Sequence, residues 1–233
     1  MPWSTLEVRW FLSGPPAAIG SALEAWFRGR PPDGGGDRPM PMAWQPAPPA
    51  WRQDRYLLVP SEDDIGIKWR EGRLEIKGRE AALGRRAFAP GIEGACERWV
   101  KWSYAGGAVE HRFRRLFCNG APPGVVILEK RRLQRHLRLE PSGGVEVGPD
   151  DPRERGMDIE LAQIRVAGSP EPHSGLHWSL AFEGFPSDHA LEEFVQIVAR
   201  FLEGCPALPL SAERSMSYPH WLLAFDQEAR GSD

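Results

Sequence analysis

The stretch Ile65-Gly66-Ile67-Lys68-Trp69-Arg70-Glu71-Gly72-Arg73-Leu74-Glu75-Ile76-Lys77-Gly78-Arg79 decides the fold. Ile65, Ile67 and Trp69 fall on one face of the first run, while Lys68 and Arg70 fall on the other. After Glu71-Gly72 the pattern resumes, with Leu74 and Ile76 opposing Arg73, Glu75, Lys77 and Arg79. Successive side chains of a strand point to opposite faces, so period-two patterning reads as strand. Two such runs split by a two-residue turn containing glycine read as a β-hairpin.

The same alternation extends outward in both directions. Leu6, Val8, Trp10 and Leu12 alternate with Glu7, Arg9 and Phe11, which predicts a strand over Thr5–Leu12. Ser13-Gly14-Pro15-Pro16 ends it and opens a helix over Pro16–Arg28, with Ile19, Leu23, Trp26 and Phe27 as its apolar stripe. Further strands are predicted at Tyr56–Val59, Glu97–Tyr104, Val125–Leu139, Met157–Val166 and Leu176–Phe185, with a turn at Pro141–Gly144. A second helix is predicted over Asp188–Glu203, capped by Ser187 and buried along Leu191, Phe194, Val195, Val198 and Leu202. Beyond Gly204 only Trp221-Leu222-Leu223 reads as packed. Mostly sequential strands with two substantial helices predict an α+β fold, a closed or nearly closed antiparallel β-barrel of about eight strands with a polar, charged lumen and flanking helices. Residues 1–204 are expected to form one barrel domain carrying a Pro/Gly-rich loop at 31–50. Residues 205–233 form an extension packed on it or trailing from it.

The chain has 233 residues, with 29 Lys+Arg against 32 Asp+Glu and a formal charge of −3, so total charge indicates neither nucleic acid nor an anionic membrane as partner. No apolar run is long enough to span a bilayer, and Met1-Pro2-Trp3-Ser4 lacks the basic and apolar segments of a secretory signal. A cytoplasmic location is expected. Cys96, Cys118 and Cys205 are too few and too scattered for a disulfide framework or a four-ligand zinc site, and read as free thiols. His173 and His177 have helical ligand spacing, but Pro170, Pro172 and Gly175 make a helix there improbable. Nucleophile-elbow, phosphate-loop and His-Glu-x-x-His motifs are missing from the sequence.

Charge is informative through its phase on the strands. Glu7 and Arg9, Lys68 and Arg70, Glu75, Lys77 and Arg79, Lys101, Lys130 and Arg132, and Glu183 each oppose an apolar face; Glu160 shares its face with Ala162 and Ile164. A half-solvated antiparallel sheet gives the same alternation. If about eight such strands close on themselves, however, one face must line a lumen. A lumen of Lys and Arg with a few Glu suits a polyanion, and the carboxylates suit a hard divalent cation.

These residues resemble the CYTH superfamily, the triphosphate tunnel metalloenzymes, over roughly Thr5–Glu203. The likeness rests on the first strand and helix, the Lys68-Trp69-Arg70 and Glu75-Ile76-Lys77 strands, the basic Glu129-Lys130-Arg131-Arg132 strand, and the acidic strands at Glu160 and Glu183. The family includes thiamine triphosphatases, inorganic triphosphatases and class IV adenylyl cyclases, and folds as an eight-stranded barrel holding triphosphate with Mg or Mn. The resemblance implies that Arg9, Lys68, Arg70, Lys77, Arg79, Lys101, Lys130 and Arg132 bind a phosphorylated small molecule or polyphosphate, and that Glu7, Glu75, Glu160 and Glu183 face a Mg or Mn ion. The family's Glu-x-Glu-x-Lys motif is here Glu7-Val8-Arg9-Trp10-Phe11, and Ala181 stands two residues before Glu183. A cation in place of a carboxylate weakens divalent-metal binding. Two alternatives stay open: a non-catalytic anion binder, and a protein-interaction scaffold using Trp44 and Trp51 around the Pro-rich loop.

Overall fold

A computed structural model describes residues 3–13, 17–29, 51–118, 124–141, 143–167, 176–188, 190–205 and 210–230. Among them run strands β1 (Trp3–Ser13), β2 (Arg52–Leu57), β3 (Ile65–Arg70), β4 (Arg73–Ala89), β5 (Ile92–Ala105), β6 (Val125–Glu140), β7 (Gly143–Val147), β8 (Gly156–Val166) and β9 (Leu176–Phe185). The helices are α1 (Ala17–Gly29), α2 (Gly107–Cys118), α3 (Leu191–Leu202) and α4 (Tyr218–Arg230), with a short 3-10 turn at Ala212–Arg214. The loop at 31–50, with Trp44, and His173 lie outside the described residues, as does the side chain of Ile19.

All strand pairs are antiparallel, in the order β2-β3-β4-β5-β1-β9-β8-β6, and β2 pairs with β6 to close eight strands into a barrel. The ninth, β7, pairs with the upper end of β6 outside the ring. The α+β barrel expected from the alternation is therefore present. The β3–β4 hairpin turns as its sequence dictates: Glu71 and Gly72 both have positive φ, 48° and 78°, which the tight hairpin turn requires.

Each strand buries both faces, and the two faces bury different things. Outward, Leu6, Val8, Trp10 and Leu12 of β1 join Ile159, Leu161, Trp178, Leu180 and Phe182 under Leu23 and Phe27 of α1 and Phe194, Val198, Phe201 and Leu202 of α3. A Cβ on Gly20 would come within 2.9 Å of the Trp178 ring, so α1 lies against β9 only because that residue has no side chain. The opposite outer wall is smaller, with Trp69 and Leu74 covered by Phe113 and Phe117 of α2.

Several elements depart from the sequence expectation. α2 was read as a link after Gly106-Gly107; its apolar face is narrow and Arg112, Arg114 and Arg115 stay exposed. β4 and β5 run on past Arg79 as a long arm with three register shifts, which break the period-two pattern. α3 starts later than expected, with Ala190 before it and no side-chain cap, because Ser187 is hydrogen-bonded to Ser4. No helix among the described residues is long and apolar enough to cross a membrane.

Candidate functional site

The inward faces of the strands change character along the barrel axis. Toward the ends of β1 and β9 that carry Ser13 and Leu176, the inward residues are Phe11, Leu128, Ala162 and Ile164, together with His177. Helix α4 fills this half: Trp221 stacks on Phe11 with ring centroids 4.7 Å apart, and Leu222 and Phe225 complete the cluster. The lysine position of the family motif is thus occupied by an aromatic that seats the helix.

Above it, a cavity of about 350 Å³ remains. It is lined by eight Lys and Arg side chains against seven Asp and Glu. Eleven of the twelve residues singled out in the sequence converge there: Glu7, Arg9, Lys68, Arg70, Glu75, Lys77, Lys101, Lys130, Arg132, Glu160 and Glu183. Arg79 does not. β3 ends at Ile65, opposite Gly78, and the loop before β3 supplies Asp63, which holds Arg79 at 2.7 Å while Glu97 holds it at 2.9 Å.

Four ion-paired groups organise the cavity. Glu75, 3% exposed, gathers three cations: Lys68 at 2.8 Å, Arg70 at 2.7 Å and Lys101 at 3.6 Å. Burial alone would raise its carboxyl, but Lys68, Lys101 and Arg70 outweigh that and bring it down to about 2. Asp54, 1% exposed, forms a bidentate pair with Arg52 at 2.9 and 3.2 Å and lies 3.5 Å from Lys130. Glu160 bridges Arg132 at 2.9 Å and Arg9 at 3.3 Å, and these cations hold it far below the usual carboxylate range despite burial. Lys77 sits between Glu7 at 2.5 Å and Glu183 at 3.2 Å. Glu7 is raised by burial and by Glu183, while Lys77 and Arg9 overcome burial to hold Glu183 down.

The cationic surplus therefore lies on β2–β5, around Glu75 and Asp54, and the acids crowd the β1–β9 wall. Lys130 marks the floor. Its Nζ donates to the Tyr56 hydroxyl at 2.6 Å and lies 3.6 Å from the centre of the Tyr218 ring. Burial lowers its ammonium to about 7, against the pull of Asp54 and Glu160. Burial likewise lowers Lys68 to about 8, against Glu75.

Sequence reasoning missed Arg52, Asp54, Glu97, Asp158, Ser217 and Tyr218, all of which line the cavity. For Arg52 and Asp54 a signal existed, since Arg52, Asp54 and Tyr56 alternate in phase; starting the strand at Tyr56 cut them off. Ser217 preceding Tyr218-Pro219, with Trp221, Leu222 and Phe225 at helical spacing, was a legible helix start. Its insertion into the lumen had no sequence signal.

The sequence matches no family model and no curated protein. Among solved structures the chain is similar to the PH1819 protein from Pyrococcus horikoshii OT3, at 10% identity over 97% of this chain and 99% of that one, with a TM-score of 0.39.

Proposed function

We propose that the protein binds a compact polyphosphorylated anion, of the size of a triphosphate, in the charged half of its barrel. One observation carries the reading: Lys68, Arg70 and Lys101 converge on the single buried carboxylate of Glu75, leaving more positive charge than that carboxylate neutralises. Lys130, Arg132 and Arg52 extend the cationic lining. Phosphoryl oxygens accept charge-assisted hydrogen bonds, about twice as strong as neutral ones. A cavity of 350 Å³ lies at the small end of ligand pockets and favours a compact anion over a bulky one. The closed eight-stranded barrel agrees with the resemblance to the triphosphate tunnel metalloenzymes.

Titration calorimetry with tripolyphosphate tests the reading. Binding to the wild type, weakened by about ten- to a hundredfold in Arg70→Ala, is the expected outcome, at about 1.5–3 kcal/mol per charged hydrogen bond. If neither tripolyphosphate nor pyrophosphate binds or raises the melting temperature, the lumen is architecture.

A second reading, hydrolysis of the bound phosphoanhydride, is favoured by Lys130. A buried amine brought down to about 7 is suited to take a proton from an attacking water near neutral pH, and the Tyr56 hydroxyl lies at 2.6 Å to orient it. Phosphate release that rises through pH 7 and disappears in a folded Lys130→Met variant is the outcome expected of this reading. Binding without turnover leaves the anion binder alone standing.

A further inference from the structure

The Mg or Mn ion implied by the resemblance does not fit these residues. A hard divalent cation needs several oxygen ligands facing a common point that no other cation holds. Here Glu160 and Glu183 face a point already taken by the guanidinium of Arg9, whose Nη1 lies 3.3 Å from Glu160 and whose Nη2 lies 3.6 Å from Glu183. Glu7 and Glu183 share Lys77 in the same way. Glu75 faces three cations.

We propose that Arg9 is a built-in cation that takes the place of a divalent metal, so that the cavity binds its anion without one. The guanidinium is fixed from four sides. Glu160 and Glu183 pair with it, the Ser179 hydroxyl accepts from Nη1 at 3.2 Å, and the Tyr218 ring lies 4.5 Å beneath it. Its side chain is only 10% exposed, and α4, which brings Tyr218, blocks its withdrawal toward the floor. Arginine suits the role because its charge is permanent and its planar fork engages carboxylate and phosphate oxygens alike. A divalent ion entering here would meet Arg9, Arg132 and Lys77 at close range, and like charges so placed repel strongly in a poorly solvated site.

This inference rests on the anion-binding reading for its ligand, but its metal claim is tested separately. Mn2+ is titrated against the protein without any phosphate, and free Mn2+ is followed by electron paramagnetic resonance. The wild type is expected to bind no Mn2+ in the cavity. Arg9→Glu, with folding checked by circular dichroism, converts the cation to a further carboxylate and is expected to bind Mn2+ at least about tenfold more tightly than the wild type. Arg9→Gln, which removes only the charge, serves if Arg9→Glu does not fold. In the second arm, tripolyphosphate is expected to bind the wild type as well in chelator as in Mg2+, or better, because Mg2+ sequesters the anion. Wild-type Mn2+ binding that Glu160→Gln abolishes overturns the proposal, as do folded Arg9 variants that bind no more Mn2+ than the wild type. If no anion binds either protein, the functional reading falls, while the Mn2+ arm still decides the role of Arg9.

Discussion

The two halves of the lumen are built by the same strands and obey the same inward parity, yet one holds an ion-pair network and the other a hydrophobic plug. On β1 the inward residues run Glu7, Arg9, Phe11; on β8 they run Asp158, Glu160, Ala162, Ile164. The change occurs at the level of Tyr218, which touches both: its ring packs on Phe11 at 5.1 Å and lies under Arg9 and Lys130. Alternation alone thus identifies an inward face, while the position along the strand decides what that face does. The plug half is assigned to stability and the charged half to binding, and substitutions in each should separate the two properties.

Trp221→Ala attacks the plug and has the largest expected effect, about 3–5 kcal/mol of lost stability. Melting should fall by many degrees, and if the stacked Phe11–Trp221 pair contributes under about 1 kcal/mol, α4 is an ornament and the division fails. Glu75→Gln tests the other half. It leaves Lys68, Arg70 and Lys101 without their carboxylate and should cost about 3 kcal/mol in the free protein, as breaking a buried pair does. Unlike the plug variant it should bind tripolyphosphate more tightly than the wild type, because the internal competitor is gone; weaker binding would mean that Glu75 orients the cations instead of competing for them.

The pH dependence of binding is smaller. A bound anion favours the ammonium forms of Lys130 and Lys68, which the free protein holds at about 7 and about 8. Binding therefore takes up protons above pH 7, and affinity should fall as pH rises, by at most about tenfold per unit for each lysine that must be charged. Below pH 7 the dependence on these lysines should flatten. Calorimetry in buffers of different ionisation enthalpy reads the proton count directly, and proton release would contradict the assignment. The smallest effect is expected at Arg155→Ala, whose pair with Glu193 at 3.0 Å is solvent-exposed on both sides; about 0–1 kcal/mol and unchanged binding are expected.

Much of the charged half was legible because its residues sit on regular strands. Lys68, Arg70, Glu75 and Lys77 are separated from their apolar partners by strict alternation, and a tight two-residue turn fixes their register. Legibility ended where regularity ended. Arg79 keeps the phase of Lys77, but its neighbouring strand has already stopped, so a loop aspartate replaces the lumen. Glu160 looked untidy beside Ala162 and Ile164 because that strand crosses from the ion network into the plug. Arg135 also defied its pattern: it shares the outward face with Leu133 and Leu137, yet is 2% exposed and paired with Glu146 at 2.9 and 2.6 Å. That partner comes from β7, a strand the sequence presented as the tail of a turn. The near balance of eight bases and seven acids was equally hidden, since it depends on which loops and strand starts face inward.

The place of β1 in the ring has a consequence for how the protein is made. β1 lies between β5 and β9, and Arg9 meets Ser179 across 170 residues of sequence. A strand synthesised early thus lacks one of its two hydrogen-bonding neighbours until nearly all the others have been translated. Long-range pairings of this kind form slowly and leave strand edges exposed meanwhile. The acids of the future cavity then wait beside unpaired backbone, and Arg9 finds its carboxylates only when β8 and β9 arrive. Assembly of the ion network is in this sense the last act of synthesis, and a ribosome-stalled chain lacking β9 should carry the charged residues without the cavity.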